Sequence, residues 1–338
     1  MSNNQYKILV TGVAGFLGSH LSEHLTALGH KVIGIDNMIG GYKDNIPKDI
    51  EFHNIDCCEF EKIKEIMSGV EVVYHCAATA HEGLSVFSPY EITKNNYLAS
   101  VSIFSAAVNE KVKRIIFCSS MARYGSQKHP FTEKMKPQPV DPYAISKVAA
   151  EQVLINLCEL NKIEWVIAVP HNIIGPRQKY DDPFRNVVSI MINRMLQGKA
   201  PIIYGDGKQT RCFSYIDDCL SCLIPMLDEK KLNKQIINIG PDEEFVTINK
   251  VAELCSNVTG INLPPIYKKD RPQEVKHAIC SADKARQLLN YKTKVSLKEG
   301  IQRTFEYIKK RGVKPFEYHI NIEINNDLTP ETWTKKEI

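Results

Sequence analysis

The sequence predicts an α/β protein: a doubly wound parallel sheet with helices on both faces, completed by a smaller α/β lid. Three observations carry this expectation. Strand-like and helix-like stretches alternate through the first half of the 338 residues. The strand-like stretches are apolar almost throughout, as strands covered on both faces must be. After about residue 175 the alternation turns irregular, and Pro and Gly become more frequent.

In chain order, Tyr6–Thr11 is a short apolar strand, and a glycine-rich turn leads from it into a helix over Leu17–Leu28. Val32–Asp36, Ile50–Asp56 and Val70–His75 follow as strands, with helices at Glu59–Met67 and Tyr90–Asn109. Ile115–Cys118 and Trp165–Val169 continue the strand series around a helix over Ala149–Glu159. In the second half, Pro201–Tyr204, Gln235–Ile239 and Pro265–Tyr267 read as strands, and Asn249–Thr259 and Ala282–Leu289 as helices. The expected division is a first domain over 1–175, completed by part of 208–240, a lid mostly over 176–312, and a polar tail over 313–338. The tail is expected either to pack on the body or to extend to a partner.

Composition excludes several classes. The chain is 43% hydrophobic and 24% charged with net charge +4, ordinary for a soluble globular protein. Basic residues alternate with acids rather than forming a stripe, which disfavours nucleic acid. No apolar run reaches membrane-spanning length, and Met1-Ser-Asn-Asn-Gln5 lacks the features of a secretory signal, so a cytoplasmic protein is expected. Of the ten cysteines, most fall within apolar stretches. Cys219-Leu-Ser-Cys222 has the spacing of a metal or redox pair, but it lies in a helical apolar run, Ile216–Leu227, with no second pair or nearby His. Core packing is the expectation there, and no metal site is expected.

The chemistry concentrates at Tyr143-Ala-Ile-Ser-Lys147. The same Tyr-x-x-x-Lys spacing occurs at Tyr90/Lys94, Tyr124/Lys128 and Tyr204/Lys208. Only the Tyr143 copy opens a long helix-like run after a capping signal, Asp141-Pro142, and follows a serine-ended strand, Arg114–Ser120. Residues four apart share a helix face, so Tyr143 and Lys147 project toward one site. A phenol ordinarily titrates near pH 10. The Lys147 ammonium and the helix N-terminus are expected to lower it, making Tyr143 a usable proton acceptor.

Gly12-Val-Ala-Gly15-Phe16-Leu17-Gly18 sits between the first strand and the first helix, where glycines permit a tight turn and the approach of a pyrophosphate to the helix N-terminus. Asp36 ends the second strand and can accept both ribose hydroxyls of an adenosine. Its charge would repel a 2′-phosphate, and no Arg or Lys immediately follows, so NAD is expected over NADP. Asp56, at the end of the third expected strand, either accepts from the adenine amino group or caps a helix.

Together these residues resemble the extended short-chain dehydrogenase/reductase superfamily of Rossmann-type proteins, specifically its nucleotide-sugar epimerases and dehydratases. The resemblance covers roughly residues 6 to 312. It rests on Thr11–Gly18, His75-Cys-Ala-Ala78, Ser119-Ser120 with Tyr124-Gly125, Tyr143–Lys147, Asn172–Gln178, Tyr204–Arg211 and Arg271–Val275. It implies Ser120 as the hydroxyl partner of the sugar, Tyr143 as the base and Lys147 as the residue holding the nicotinamide ribose. It also implies a cofactor set that adds Phe16, Leu17, Asn37, Cys57, Cys76, Ala77, Ala78, Asn96 and Pro170 to the residues above. Asn172, Arg211 and Arg271 match positions that bind the nucleotide diphosphate, for which a guanidinium is well suited. Asn186, Tyr204 and Ser85 complete the implied substrate set. A homodimer through helices flanking the sheet is implied as well.

Departures from the pattern narrow the reaction. Dehydrating members carry an Asp-Glu pair after the position of Ser120, and decarboxylating members a glutamate; this chain has Met121-Ala122-Arg123. What remains is oxidation at C4 of a nucleotide-activated hexose, most simply a UDP-sugar, then reduction from the other face through a 4-keto intermediate. Arg123 faces either a substrate carboxylate or a structural ion pair or solvent, the latter two being favoured. The alternatives are a UDP-glucuronate 4-epimerase, a 4-keto nucleotide-sugar reductase and, more remotely, a non-catalytic NAD-sensing protein.

Overall fold

The computed structural model describes residues 5–338. Seven strands form the central sheet: β1 Lys7–Thr11, β2 Lys31–Asp36, β3 Glu51–Asn54, β4 Val72–His75, β5 Arg114–Cys118, β6 Glu164–Pro170 and β7 Gln235–Ile239. Their spatial order is β7-β6-β5-β4-β1-β2-β3, and every pairing is parallel. The chain winds one way from β1 to β2 and β3, then crosses back to β4. The reversal between β1 and β4 leaves a crevice at their C-terminal ends, where such sheets bind ligands.

Side chains alternate across the sheet with the two-residue period of a strand. Leu9, Ile33, Val73, Ile115, Phe117 and Ile167 enter one core with helices α2 (Phe60–Ile66), α3 (Pro89–Asn109) and α4 (Pro142–Asn161). Ile8, Val10, Val32, Tyr74, Ile116 and Val166 enter the other with helices α1 (Phe16–Ala27) and α6 (Ile216–Leu223); between α4 and α6 in the chain comes α5 (Val187–Leu196). Cys219 and Cys222 are buried in this second core as free thiols. Helix α3 contains one turn of π-helix, Lys94–Leu98, where a strictly helical run was expected.

The third strand is shorter than expected, because Asp56 lies beyond its end and accepts from the backbone N–H of Cys58 at 2.8 Å. Two long helices of the second half were not anticipated: α5, and α8 (Leu297–Arg311), which comes after α7 (Ile248–Thr259) and the short expected helix Asp283–Leu289. Together α5, α7 and α8 form a third core around Met191, Ile192, Val251, Cys255, Ile301 and Phe305. Segment 313–338 packs on the body: Trp333 and Ile320 join Leu84, Phe87 and Phe184 in a fourth cluster. Among the described residues, no helix is long and apolar enough to cross a membrane.

Candidate active site

A cleft of about 460 Å³ runs across the C-terminal ends of β1, β2, β4, β5 and β6, at the point where strand order reverses. At its centre stands the start of α4. Asp141 caps this helix by accepting from the Ala144 N–H at 2.9 Å, and Pro142 occupies the first helical position. This places Tyr143 in the first turn and Lys147 one turn on, both buried and both lining the cleft beside Ser120. Of the other Tyr-x-x-x-Lys pairs, only Tyr204 reaches the cleft, while its Lys208 is exposed.

The electrostatics differ from the sequence expectation. Burial pushes the Tyr143 phenol up to about 12, while the Ser120 hydroxyl and the Arg185 charge pull it down and the Glu82 and Asp141 carboxylates add to the rise. The larger downward pulls thus come from Ser120 and Arg185, not from Lys147. The Lys147 ammonium donates to the Cys118 carbonyl at 2.9 Å and lies 4.9 Å from the Phe117 ring centre. Burial lowers it to about 8. Desolvation outweighs the helix N-terminus here because the phenol is shut away from water.

One half of the cleft is built for a dinucleotide. Gly12 has φ +78, and a Cβ there would come within 3.0 Å of the Ala77 backbone. Gly15 caps α1 with no side-chain bond, so the first-turn N–H groups of the helix face the cleft beside Phe16, Leu17 and Gly18. The Thr11 hydroxyl accepts from the N–H groups of Cys76 (3.1 Å) and Ala77 (2.9 Å), tying the loop after β4 to the end of β1. Asp36 accepts from the N–H of Ala14 at 3.0 Å and of Met38 at 2.7 Å. Burial raises its carboxyl, against the pull of those N–H groups. A carboxylate has about four acceptor sites, so lone pairs remain for two ribose hydroxyls. Asn37 donates to Asp56 at 2.9 Å. Burial pushes the Asp56 carboxyl up, but the Cys58 N–H, Asn37 and Lys94 together bring it below the usual range. Cys57, Ala78 and Pro170 complete this lining. These donors and acceptors fit an adenosine diphosphate with a free 2′-hydroxyl, as in NAD.

Asn96 is not at the cleft surface. It sits in the π-turn, donating to the carbonyls of Thr79 (3.0 Å) and Ile92 (2.8 Å), and so holds the loop after β4 from behind. Its neighbour Asn95 lines the cleft, with a buried Oδ1 that has no hydrogen-bond partner. The extra residue of the π-turn accounts for the change of face.

In the other half, Arg211 and Arg271 share one carboxylate, Glu274 Oε1, at 3.5 and 3.2 Å. Arg271 also lies 4.9 Å from the Tyr204 ring centre. Asn172 and Asn186 line the same half in left-handed conformations, with φ of 42° and 68°. Such values are uncommon for non-glycine residues and gather at binding sites. Two side chains placed in the candidate substrate set lie elsewhere, and for Arg123 the outcome is the structural ion pair, one of the two readings favoured over a substrate carboxylate. Arg123 is buried beneath the serines, paired with Glu151 at 2.8 Å and packed 5.1 Å from the Tyr124 ring centre. Ser85 is buried behind the cleft wall, where its hydroxyl donates to the Glu82 carbonyl at 2.7 Å and to Asp141 at 3.2 Å. A carboxylate captures the Arg123 guanidinium, and the Glu82 backbone carbonyl, with Asp141 at longer range, captures the Ser85 hydroxyl.

Three lining groups did not stand out in the sequence. Glu82 is pushed up to about 7, first by burial and then by the Asp141 carboxylate. Arg185 lines the cleft, and its charge reaches Tyr143, Lys147 and His81. Asp182 accepts from His81 at 2.7 Å, and His319 stands 3.8 Å from the same oxygen. One potential ligand atom from each of these last three residues lies within 4.8 Å of the others, a grouping of metal-ligating types that the sequence did not suggest. Glu82 opens the single helical turn Glu82–Ser85 after β4, whose first residues line the cleft and whose last does not.

The model of the NAD dependent epimerase/dehydratase family matches residues 8–240. A protein of Methanocaldococcus jannaschii that carries the provisional name UDP-glucose 4-epimerase is 35% identical over 307 residues, covering 89% of this chain and 98% of the relative. The structure of a Thermotoga maritima UDP-glucose 4-epimerase with UDP-glucose is similar at a TM-score of 0.85 and 33% identity, over 90% of this chain and 99% of that one. A Bacillus cereus UDP-glucuronic acid 4-epimerase with UDP-glucuronic acid and NAD is similar at 0.84 and 29%, over 90% and 100%. Family match, sheet order and the glycine turn with Asp36 agree, and the chain belongs to the NAD dependent epimerase/dehydratase family.

Proposed function

We propose that the protein is an NAD-dependent nucleotide-sugar 4-epimerase acting on a UDP-hexose. The observation that carries this reading is the position of Ser120, Tyr143 and Lys147, between the Asp36 half of the cleft and the Arg211–Arg271 half. Residues 1–175, with part of 208–240, then hold the cofactor, and 176–312 mostly hold the sugar nucleotide. NAD, held by the Gly12–Gly18 turn, Asp36 and Lys147, would supply the hydride acceptor for C4 and the hydride for the return step. In the protein alone, burial holds the Tyr143 phenol at about 12, and the positive charge that a bound nicotinamide would bring beside it favours the phenolate. In that form Tyr143 takes the proton of the sugar 4-hydroxyl, and the Ser120 hydroxyl holds that oxygen. C4 gives up its hydrogen with the bonding pair and becomes a carbonyl. For the epimer to form, the 4-keto sugar must present its other face for reduction, and Tyr143 returns the proton to the C4 oxygen. Beside Ser120 the cleft is lined by Met121 and Ala122, not by the acids that elimination or decarboxylation would use there.

NMR of the purified protein with a panel of nucleotide sugars and no added reductant tests this reading. The expected outcome is interconversion of one C4 epimer pair, and release of CO₂ or stoichiometric use of NADH would count against it. Tyr143→Phe should leave NAD and UDP binding intact while turnover falls by about 10² or more, and near-wild-type turnover would overturn the mechanism. Arg185 favours a second reading, a UDP-glucuronate 4-epimerase. No carboxylate lies within 4.0 Å of its guanidinium among the described residues, so an anionic sugar would find an unpaired cation. Preference for UDP-glucuronate in the same panel would select it.

We further infer a cytoplasmic homodimer. The ten cysteines are all free, which suits a reducing compartment. Helices α3 and α4 pack together and leave Tyr90, Leu98, Ile145 and Leu160 exposed, an apolar surface suited to a second copy.

A further inference from the structure

We propose that segment 313–338 forms a wall of the sugar-nucleotide half of the cleft, with Ile338 as a specificity-determining side chain and Trp333 as a positioning residue. This rests on the reading of the Arg211–Arg271 end as the nucleotide-diphosphate end. The family motifs stop before residue 313, yet Ile338 lines the cleft together with Phe184, Ile190, Ile202 and Tyr204. Trp333 is 2% exposed and packs edge-on against Phe184 and Tyr204, with ring centres 5.4 and 6.2 Å apart. The neighbouring Thr332 hydroxyl bonds the Tyr204 hydroxyl at 2.6 Å. Tyr204 in turn carries Arg271 on its ring face. The segment therefore sets the plane of the ring against which a diphosphate-binding arginine stacks.

The segment is firmly seated. Glu323 accepts from the N–H groups of Tyr90 and Glu91, both at 2.9 Å, supplying the first turn of α3 with acceptors that its own sequence does not provide. The Ser88 hydroxyl donates to the Asn321 carbonyl at 2.7 Å. At the far end Arg194 donates to the Glu337 carbonyl at 3.0 Å, and the Ile338 N–H donates to the Tyr318 hydroxyl at 3.0 Å. An apolar side chain held in this way adds no hydrogen bond to a ligand and discriminates by volume.

The test is calorimetric titration of the full chain with UDP-glucose and, separately, with NAD. Ile338→Trp should weaken UDP-glucose by at least about tenfold, because it fills space the ligand needs, and should leave NAD affinity unchanged. Trp333→Leu should raise KM for the nucleotide sugar with kcat retained, and Trp333→Phe should restore KM; a purely structural role would lower kcat and NAD affinity as well. The proposal is overturned if Ile338→Trp and Trp333→Leu bind both ligands as the wild type does. A wild-type chain that binds NAD but no UDP-sugar overturns the reading of the site itself, and this proposal with it, and that result is visible before any variant is made.

Discussion

At the scale of single residues, burial sets the chemistry of the two central groups. The Ser120 hydroxyl lowers the Tyr143 phenol, so Ser120→Ala should raise its pKa further. Ultraviolet titration of the ligand-free protein, with Tyr143→Phe as the subtraction control, measures this; an unchanged or lower value would remove Ser120 as a partner. Lys147 provides a second test. Its folded pKa, about 8, is below the ordinary 10.5, so between those values the unfolded chain binds one more proton than the native one. Stability arising from this group therefore rises with pH across that window and is flat on either side. Relative to Lys147→Met, the wild type should gain on the order of 3 kcal/mol in denaturant unfolding between pH 8 and pH 10.5. A constant difference would mean that Lys147 is not held in a desolvated site. Neither value could be read from the sequence, which shows which groups are neighbours but not how deeply they are buried. The capping pair Asp141-Pro142 was legible because its signal is local. An ion pair for Arg123 was among the expected readings, but its partner could not be named, since Glu151 lies 28 residues on, partway along α4.

At the scale of elements, legibility followed the clarity of the apolar pattern. The strands of the central sheet were readable chiefly because burial on both faces leaves near-continuous apolar runs; the edge strand β3, half-exposed and carrying Glu51, His53 and Asn54, is the exception. Helix α8 was missed although Ser296 caps it, accepting from the Glu299 N–H at 3.3 Å, and Leu297, Ile301, Phe305 and Ile308 keep helical spacing. Its many charged residues hide that stripe. Helix α5 was missed because Asn186, in left-handed conformation, offers no side-chain cap. The π-turn of α3 was invisible for a different reason: one extra residue per turn leaves the composition unchanged while shifting Asn95 to the cleft and Asn96 behind it. The pairing of α3 with α4 has its own consequence. If their exposed apolar residues meet a second copy, Leu98→Asp with Ile145→Asp should convert the dimer to a monomer in size-exclusion chromatography with light scattering. A wild-type protein that is already monomeric at micromolar concentration would sink the idea.

At the scale of the whole molecule, the cleft is assembled from distant parts of the chain. The glycine turn follows β1, the reacting phenol begins α4, the paired arginines come from residues 211 and 271, and the closing wall comes from beyond residue 313. The first three regions carried motifs and could be read in the sequence. The wall carried none, because its contribution is packing against Phe184 and Tyr204, and shape complementarity leaves no local signature. Glu82, Asp182 and Arg185 were missed for a related reason: they sit on connecting segments whose path depends on the finished fold.

Glu274 gives the arginine pair a resident anion. With its carboxylate already between Arg211 and Arg271, half of their combined charge is balanced and both guanidinium groups are aimed before any phosphate arrives. Capture of a diphosphate is then an exchange of one anion for another, and departure of the product is assisted by a carboxylate waiting to reclaim both cations. An enzyme that must release a product nearly identical to its substrate gains from such a site, because its turnover would otherwise be limited by its own grip. Glu274→Gln should accordingly tighten UDP binding by about tenfold or less and slow its dissociation, as stopped-flow displacement would record. Faster dissociation would mean that Glu274 positions the arginines without competing for them.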